Sequence, residues 1–204
     1  MHADMPQPDA PQDVVDVARQ LAAALVSRGQ EYALGGAIAL AYWAAPRGTL
    51  DVDLTLFLPP ARPGECIWLL QEIGCDVPVA EANHMIAEHG FCRANYRGFR
   101  IDVFLPIVPF YELARRRRRC VDLEGQPVMI WDAESLVVFK MMFFREKDLV
   151  DTKMVVRTQG SALDRAWVQR QLETVFGHND PRVTRWEEIV QQVTDEATER
   201  RPMR

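Results

Sequence analysis

The chain is poor in the residues that most often announce a metal centre or a disulfide scaffold, with 4 cysteines and 4 histidines in 204 residues. Cys66, Cys75, Cys92 and Cys120 form no C-x-x-C pair and show no zinc spacing, so reduced thiols in a cytoplasm are the plain expectation. His84, His89 and His178 are scattered without ligand spacing and are expected at the surface. An excess of basic residues is missing too. The 24 Lys plus Arg face 29 Asp plus Glu, a net charge of −5, which argues against a coat of positive surface though not against a local basic groove. The longest uncharged apolar stretch, 32–46, is too short to span a bilayer and carries two glycines. The opening MHADMPQPDAPQD lacks the basic and apolar regions of a signal peptide, and residues 1–10 are expected to be a loose tail. Hydrophobic residues, at 48%, suffice for one packed domain or one domain with a helical appendage.

Periodicity orders the elements. Val14, Val15, Val17, Ala18, Leu21, Ala22 and Leu25 make a helical stripe within 11–29. A short strand over 31–34 turns at Gly35-Gly36 into a helix over 37–44. A strand over 49–58 is closed by Pro59-Pro60, and an amphipathic helix is predicted over 64–73. Strands are predicted over 77–80 and near 84–88. FCRANY and FRIDVFLP flank Arg97-Gly98, a two-residue hairpin signal. Residues 109–119 read as a helix and 128–131 as a strand. Asp132 then caps a long helix to about 152, followed by helices over 161–176 and 181–198 and a charged tail. A mixed α/β core over 11–131 thus precedes a helical region over 132–204.

The chemistry concentrates in one segment. Asp51 and Asp53 stand on alternate residues of the strand over 49–58, so their side chains share a face, while Leu50, Val52, Leu54 and Leu56 are expected to enter a core. Neighbouring carboxylates repel, and a fold accepts that cost readily when a cation lies between them. Oxygen ligands on a rigid strand suit Mg²⁺, which takes one or two carboxylates and completes its shell with water and substrate phosphates. Gly35 and Gly36 lie at a strand-to-helix junction, where backbone N–H groups bind phosphate and absent side chains admit a nucleotide.

Gly-Gly, a helix-length gap and R-x-T-x-D-x-D, as they stand in YALGGAIALAYWAAPRGTLDVDLTLFL, resemble the signature of the DNA polymerase β-type nucleotidyltransferase superfamily. The small bacterial members of that superfamily include AbiEii-like enzymes and aminoglycoside nucleotidyltransferases. The resemblance implies an α/β fold with a mixed sheet flanked by helices. It also implies transfer of a nucleoside monophosphate from an NTP to a hydroxyl, with release of pyrophosphate. Asp102, on the strand over 99–105 and sharing a face with Arg100 and Phe104, takes the place of the third carboxylate. Asp51, Asp53 and Asp102 would then hold two Mg²⁺ ions, with Asp102 on the side of the nucleophile. Arg47 and Thr49 are expected either to contact the triphosphate or to orient the aspartates, and a solvated loop arginine and a strand-start threonine are equally ordinary readings.

WDAESLVVFKMMFFREKDLVD resembles the helix that follows the core in AbiEii-like and related nucleotidyltransferases. Lys140, Phe144, Lys147 and Asp151 fall on one stripe if that helix is continuous. Lys140 sits among apolar residues and needs a snorkelling route or an anionic partner. The resemblance supplies a triphosphate for Lys140 first and Lys147 second, whereas Asp148 and Asp151 also suit salt bridges. Arg115–Arg119 fits either an RNA backbone or a solvated helix end. The acceptor stays open among an RNA end such as tRNA, a protein and a small molecule. A non-catalytic nucleotide- or partner-binding module, for example half of a toxin–antitoxin pair, is the competing reading.

Overall fold

A computed structural model describes residues 13–199. The tail expected over 1–10 and the closing charged tail lie outside them. The described residues form two compact units, each assembled from separated segments: 13–34, 48–107 and 120–130 belong to the first, and 35–47, 108–119 and 131–199 to the second.

The first unit is built on a six-stranded mixed sheet of order β3-β4-β2-β1-β6-β5. Its strands are β1 (Tyr32–Leu34), β2 (Asp51–Leu56), β3 (Phe91–Tyr96), β4 (Phe99–Phe104), β5 (Arg119–Leu123) and β6 (Gln126–Ile130). β1 runs antiparallel to β2 and parallel to β6. β2 runs parallel to β4, and β3 antiparallel to β4. Strand alternation segregates the two faces. Val52, Leu54, Leu56, Ile101, Val103, Cys92 and Ala94 are buried, while the alternate residues Asp51, Asp53, Arg93, Arg100 and Asp102 are half-buried or exposed. Helix α1 (Val14–Val26) buries Val17, Ala18, Leu21, Ala22 and Leu25 and starts at Asp13, whose carboxylate accepts the Asp16 N–H at 2.9 Å. Helices α3 (Pro63–Glu72) and α4 (Val79–His89) complete the unit. The hairpin signal at Arg97-Gly98 holds: both residues have positive φ, 51° and 93°, as a two-residue turn matched to strand twist requires.

The second unit is helical: α2 (Gly36–Trp43), α5 (Phe110–Arg117), α6 (Ala133–Phe143), α7 (Glu146–Gln159), α8 (Arg165–Phe176) and α9 (Pro181–Glu199). Phe139 anchors its core, with ring centroids 5.1, 4.9 and 4.8 Å from those of Phe110, Tyr111 and Trp131. Asp132 caps α6 as expected, accepting the Ser135 N–H at 3.1 Å.

Several expectations need correcting. No strand forms over 77–80 or near 84–88: residues 79–80 and 84–88 lie in the helix α4, where the Pro78 carbonyl accepts the first backbone bond from Ala82, at 2.8 Å, and Gly90 ends the helix in the left-handed conformation. The long helix from 132 to 152 is two helices. Phe144 adopts φ 56° and ends α6, so Lys140, Phe144, Lys147 and Asp151 do not lie on one helical stripe. The helix over 109–119 stops at Arg117, and the chain re-enters the sheet as β5, a strand that the arginine run conceals. Leu50 is 88% exposed rather than in the core, because β2 starts one residue later.

Candidate active site

The strand register brings the three predicted carboxylates to one sheet face. Asp53 is the direct partner of Asp102 across parallel strands, and Asp51 is the partner of Arg100. Paired residues on neighbouring strands point to the same side, so Asp51, Asp53 and Asp102 form one patch. Sequence alone places Asp51 beside Asp53, but the pairing of Asp53 with Asp102 depends on β2 and β4 being neighbours. Further along the face Thr55 is buried, and the Phe91 and Phe104 rings pack with centroids 5.2 Å apart.

Thr49 orients the first carboxylate. Its hydroxyl donates to Asp51 Oδ1 at 2.7 Å and its Oγ1 accepts from the Asp51 N–H at 3.4 Å. Arg100 Nη2 donates to Asp51 Oδ2, and Arg100 Nε lies 3.4 Å from Asp102 Oδ1. Arg93, the register partner of Asp102 on β3, places Nε 3.5 Å from the same oxygen. Neither approach has hydrogen-bond geometry, and Asp102 Oδ1 is buried without a hydrogen-bond partner. Burial pushes the Asp102 carboxyl above its ordinary range; Arg100 opposes that shift and the Asp51 charge adds to it.

Among the described residues no group of three or more His, Cys, Asp or Glu side chains is gathered as closely as a metal site. Asp51 and Asp102 are drawn to guanidinium groups instead. The donor set nevertheless fits a hard divalent cation: the carboxylates share one sheet face, and Asp102 offers an oxygen that no hydrogen bond occupies. Arg100 lies on the face of Asp102 as the strand spacing predicts, whereas Arg93, brought in by the pairing of β3 with β4, is the site neighbour that residue-type reasoning passed over.

The remaining predicted residues belong to the helical unit. Gly36 opens α2 with φ 53°, a backbone that favours glycine, and Gly35 is the residue before it. Arg47 holds Asp151 through Nε at 3.1 Å and Nη2 at 3.0 Å. Lys140 is buried, with Nζ 2.6 Å from Asp151 Oδ2 and 3.9 Å from Asp148 Oδ1. Burial pushes the Asp151 carboxyl up, but hydrogen bonds from Arg47 and Lys140 overcome this and hold it below the ordinary value. Lys147 is exposed in the first turn of α7. Of the arginine run, Arg117 binds Asp132 and Glu134 and stacks 4.2 Å from the Trp167 ring centroid, while Arg118 donates to the Arg115 carbonyl at 2.8 Å.

Comparison with solved structures identifies the architecture. The antibiotic-resistance factor ANT(2'')-Ia in solution aligns with a TM-score of 0.53 at 14% identity, over 91% of this chain and 93% of that one. The chain has the nucleotidyltransferase fold. ANT(2'')-Ia in complex with adenylyl-2''-tobramycin aligns equally well, with a TM-score of 0.53, 14% identity and coverage of 90% and 98%. An antigenic nucleotidyltransferase-like protein from Paracoccidioides brasiliensis gives a TM-score of 0.51 at 16% identity, over 94% of each chain. No protein-family model matches the sequence. No curated protein sequence matches it either. Among the described residues no helix is long and apolar enough to cross a membrane.

Proposed function

We propose that this chain is a Mg²⁺-dependent nucleotidyltransferase that moves a nucleoside monophosphate from an NTP to a hydroxyl and releases pyrophosphate. The observation that carries the reading is the register of Asp53 with Asp102, with Asp51 on the same face of a nucleotidyltransferase sheet. Mg²⁺ held by Asp51, Asp53 and Asp102 would supply the Lewis acidity that neutralises triphosphate charge and favours an ionised hydroxyl. Thr49 keeps Asp51 turned toward the shared face. Asp102 is assigned to the acceptor side.

Gly35, Gly36, Arg47, Lys140 and Lys147 are assigned to the triphosphate. Gly35 and Gly36 offer backbone N–H groups at the start of α2. Arg47 comes pre-oriented by Asp151, and Lys140 shares that carboxylate, so its part in phosphate binding is inseparable from the pair. A small polyhydroxylated or aminated molecule is the first acceptor class to screen, because the tobramycin-adduct structure shares the fold. An RNA end ranks second, since Arg117 and Arg118 already serve contacts within their own unit.

The test is turnover. Purified protein is incubated with Mg²⁺, each α-labelled NTP and panels of aminoglycosides, other small alcohols and RNA, and pyrophosphate and labelled acceptor are measured. Acceptor-dependent pyrophosphate release that vanishes in Asp53→Asn supports the reading. Release that is unchanged in Asp53→Asn contradicts it.

A further inference from the structure

We propose that Arg100, assisted by Arg93, is the resting counter-ion of the carboxylate face, holding Asp51 and Asp102 until a divalent cation displaces it. The inference rests on the nucleotidyl-transfer reading of this face and adds a control on cation loading. Arg100 reaches both ends of the patch: it donates to Asp51 Oδ2 and sits 3.4 Å from Asp102 Oδ1. Arg93 approaches the same Asp102 oxygen at 3.5 Å from the neighbouring strand. Asp51, Asp53 and Asp102 repel one another when no cation lies among them, and two guanidinium groups of the same sheet face supply the missing charge.

The latch is built to open. The Arg100 and Arg93 side chains are 53% and 62% exposed, and ion pairs of that exposure are weak and exchange readily. The hold on Asp102 Oδ1 is ionic only, since that oxygen accepts no hydrogen bond. A divalent cation brings twice the charge and direct carboxylate ligation. Once displaced, the arginine forks remain beside the patch, suited to the phosphate oxygens of an arriving triphosphate. Arg100 is therefore a positioning residue, and its effect is read first in cation binding rather than in turnover.

The test uses Mn²⁺ alone as probe, titrated into full-length, nucleotide-free protein and followed by the electron paramagnetic resonance signal of free Mn²⁺. The wild type is compared with Arg100→Leu, Arg100→Gln, Arg93→Leu and Asp53→Asn, each checked for folding by circular dichroism. Arg100→Gln keeps a polar side chain if Arg100→Leu folds poorly. Removal of the Arg100 charge is expected to tighten Mn²⁺ binding by about two- to fivefold, with a smaller gain for Arg93→Leu. Unchanged or weaker Mn²⁺ binding in the Arg100 variants, with binding still lost in Asp53→Asn, overturns the latch and leaves the nucleotidyl-transfer reading standing. Absence of Mn²⁺ binding in every protein, Arg100 variants included, overturns both.

Discussion

Lys140 and Asp151 stand 2.6 Å apart inside the helical unit, and Arg47 grips the same carboxylate through two of its nitrogens. Both Lys140 and Asp151 are almost fully buried. Removing the carboxylate leaves the lysine without its closest partner, whereas the intact pair offsets its own desolvation. Asp151→Asn is expected to cost about 3–5 kcal/mol of stability, measured as the shift in urea midpoint. A midpoint within error of wild type would show that the network is incidental.

The same carboxylate sets a pH dependence. Its folded pKa is held below the ordinary value, so it binds fewer protons folded than unfolded. Its contribution is present above the unfolded pKa of about 3.9 and is lost as the pH falls through the lower folded value. Wild-type stability should therefore fall on acidification below about pH 5, and Asp151→Asn should fall less steeply over that window. Parallel pH profiles for the two proteins would contradict the assignment.

Asp102 has the opposite sign. Its folded pKa is raised, chiefly by burial, so its ionised form opposes folding at neutral pH and this penalty disappears as the pH falls through the folded value. Asp102→Asn is expected to unfold at higher urea than wild type at pH 7, with the two converging at low pH, while losing nucleotidyl transfer. A less stable Asp102→Asn at pH 7 would mean that Arg93 and Arg100 stabilise the charge more than burial penalises it.

Gly90 caps α4 at φ 61°, and an added Cβ would collide with the Ile107 side chain and meet the Leu105 carbonyl oxygen at 3.3 Å. Gly90→Ala should destabilise the sheet unit by about 1–3 kcal/mol, combining left-handed strain with the collision. Adding Ile107→Ala should recover only the collision part, as read by chemical denaturation. Full recovery would show that the backbone conformation costs little here.

Much of this was legible locally. Alternation put Asp51 and Asp53 on one face, Arg97-Gly98 marked its hairpin, and Asp132 marked the start of α6. What escaped depends on long-range context. The residues around Val77 and Val79 have strand propensity, yet Pro78 and the alanines that follow start a helix, and tertiary burial of Ala82 and Ile86 decides the matter. The break at Phe144 has no glycine to announce it. The half-buried Phe144 ring lies 5.6 Å from the Arg182 guanidinium, a contact that no local pattern encodes. The apolar surroundings of Lys140 in the sequence call for an anion without naming it, and the closest anion in the structure is Asp151 on the next helix. Likewise the pairing of Asp53 with Asp102 follows from strand order, which belongs to the sheet rather than to either strand.

The most direct test of the carboxylate face as a metal–triphosphate site is calorimetric titration of the four NTPs into wild type and Asp53→Asn, with and without Mg²⁺. The account predicts binding of at least one NTP that requires Mg²⁺ and collapses in Asp53→Asn. Well-folded wild type that binds no NTP, or Asp53→Asn that binds as wild type does, would contradict it.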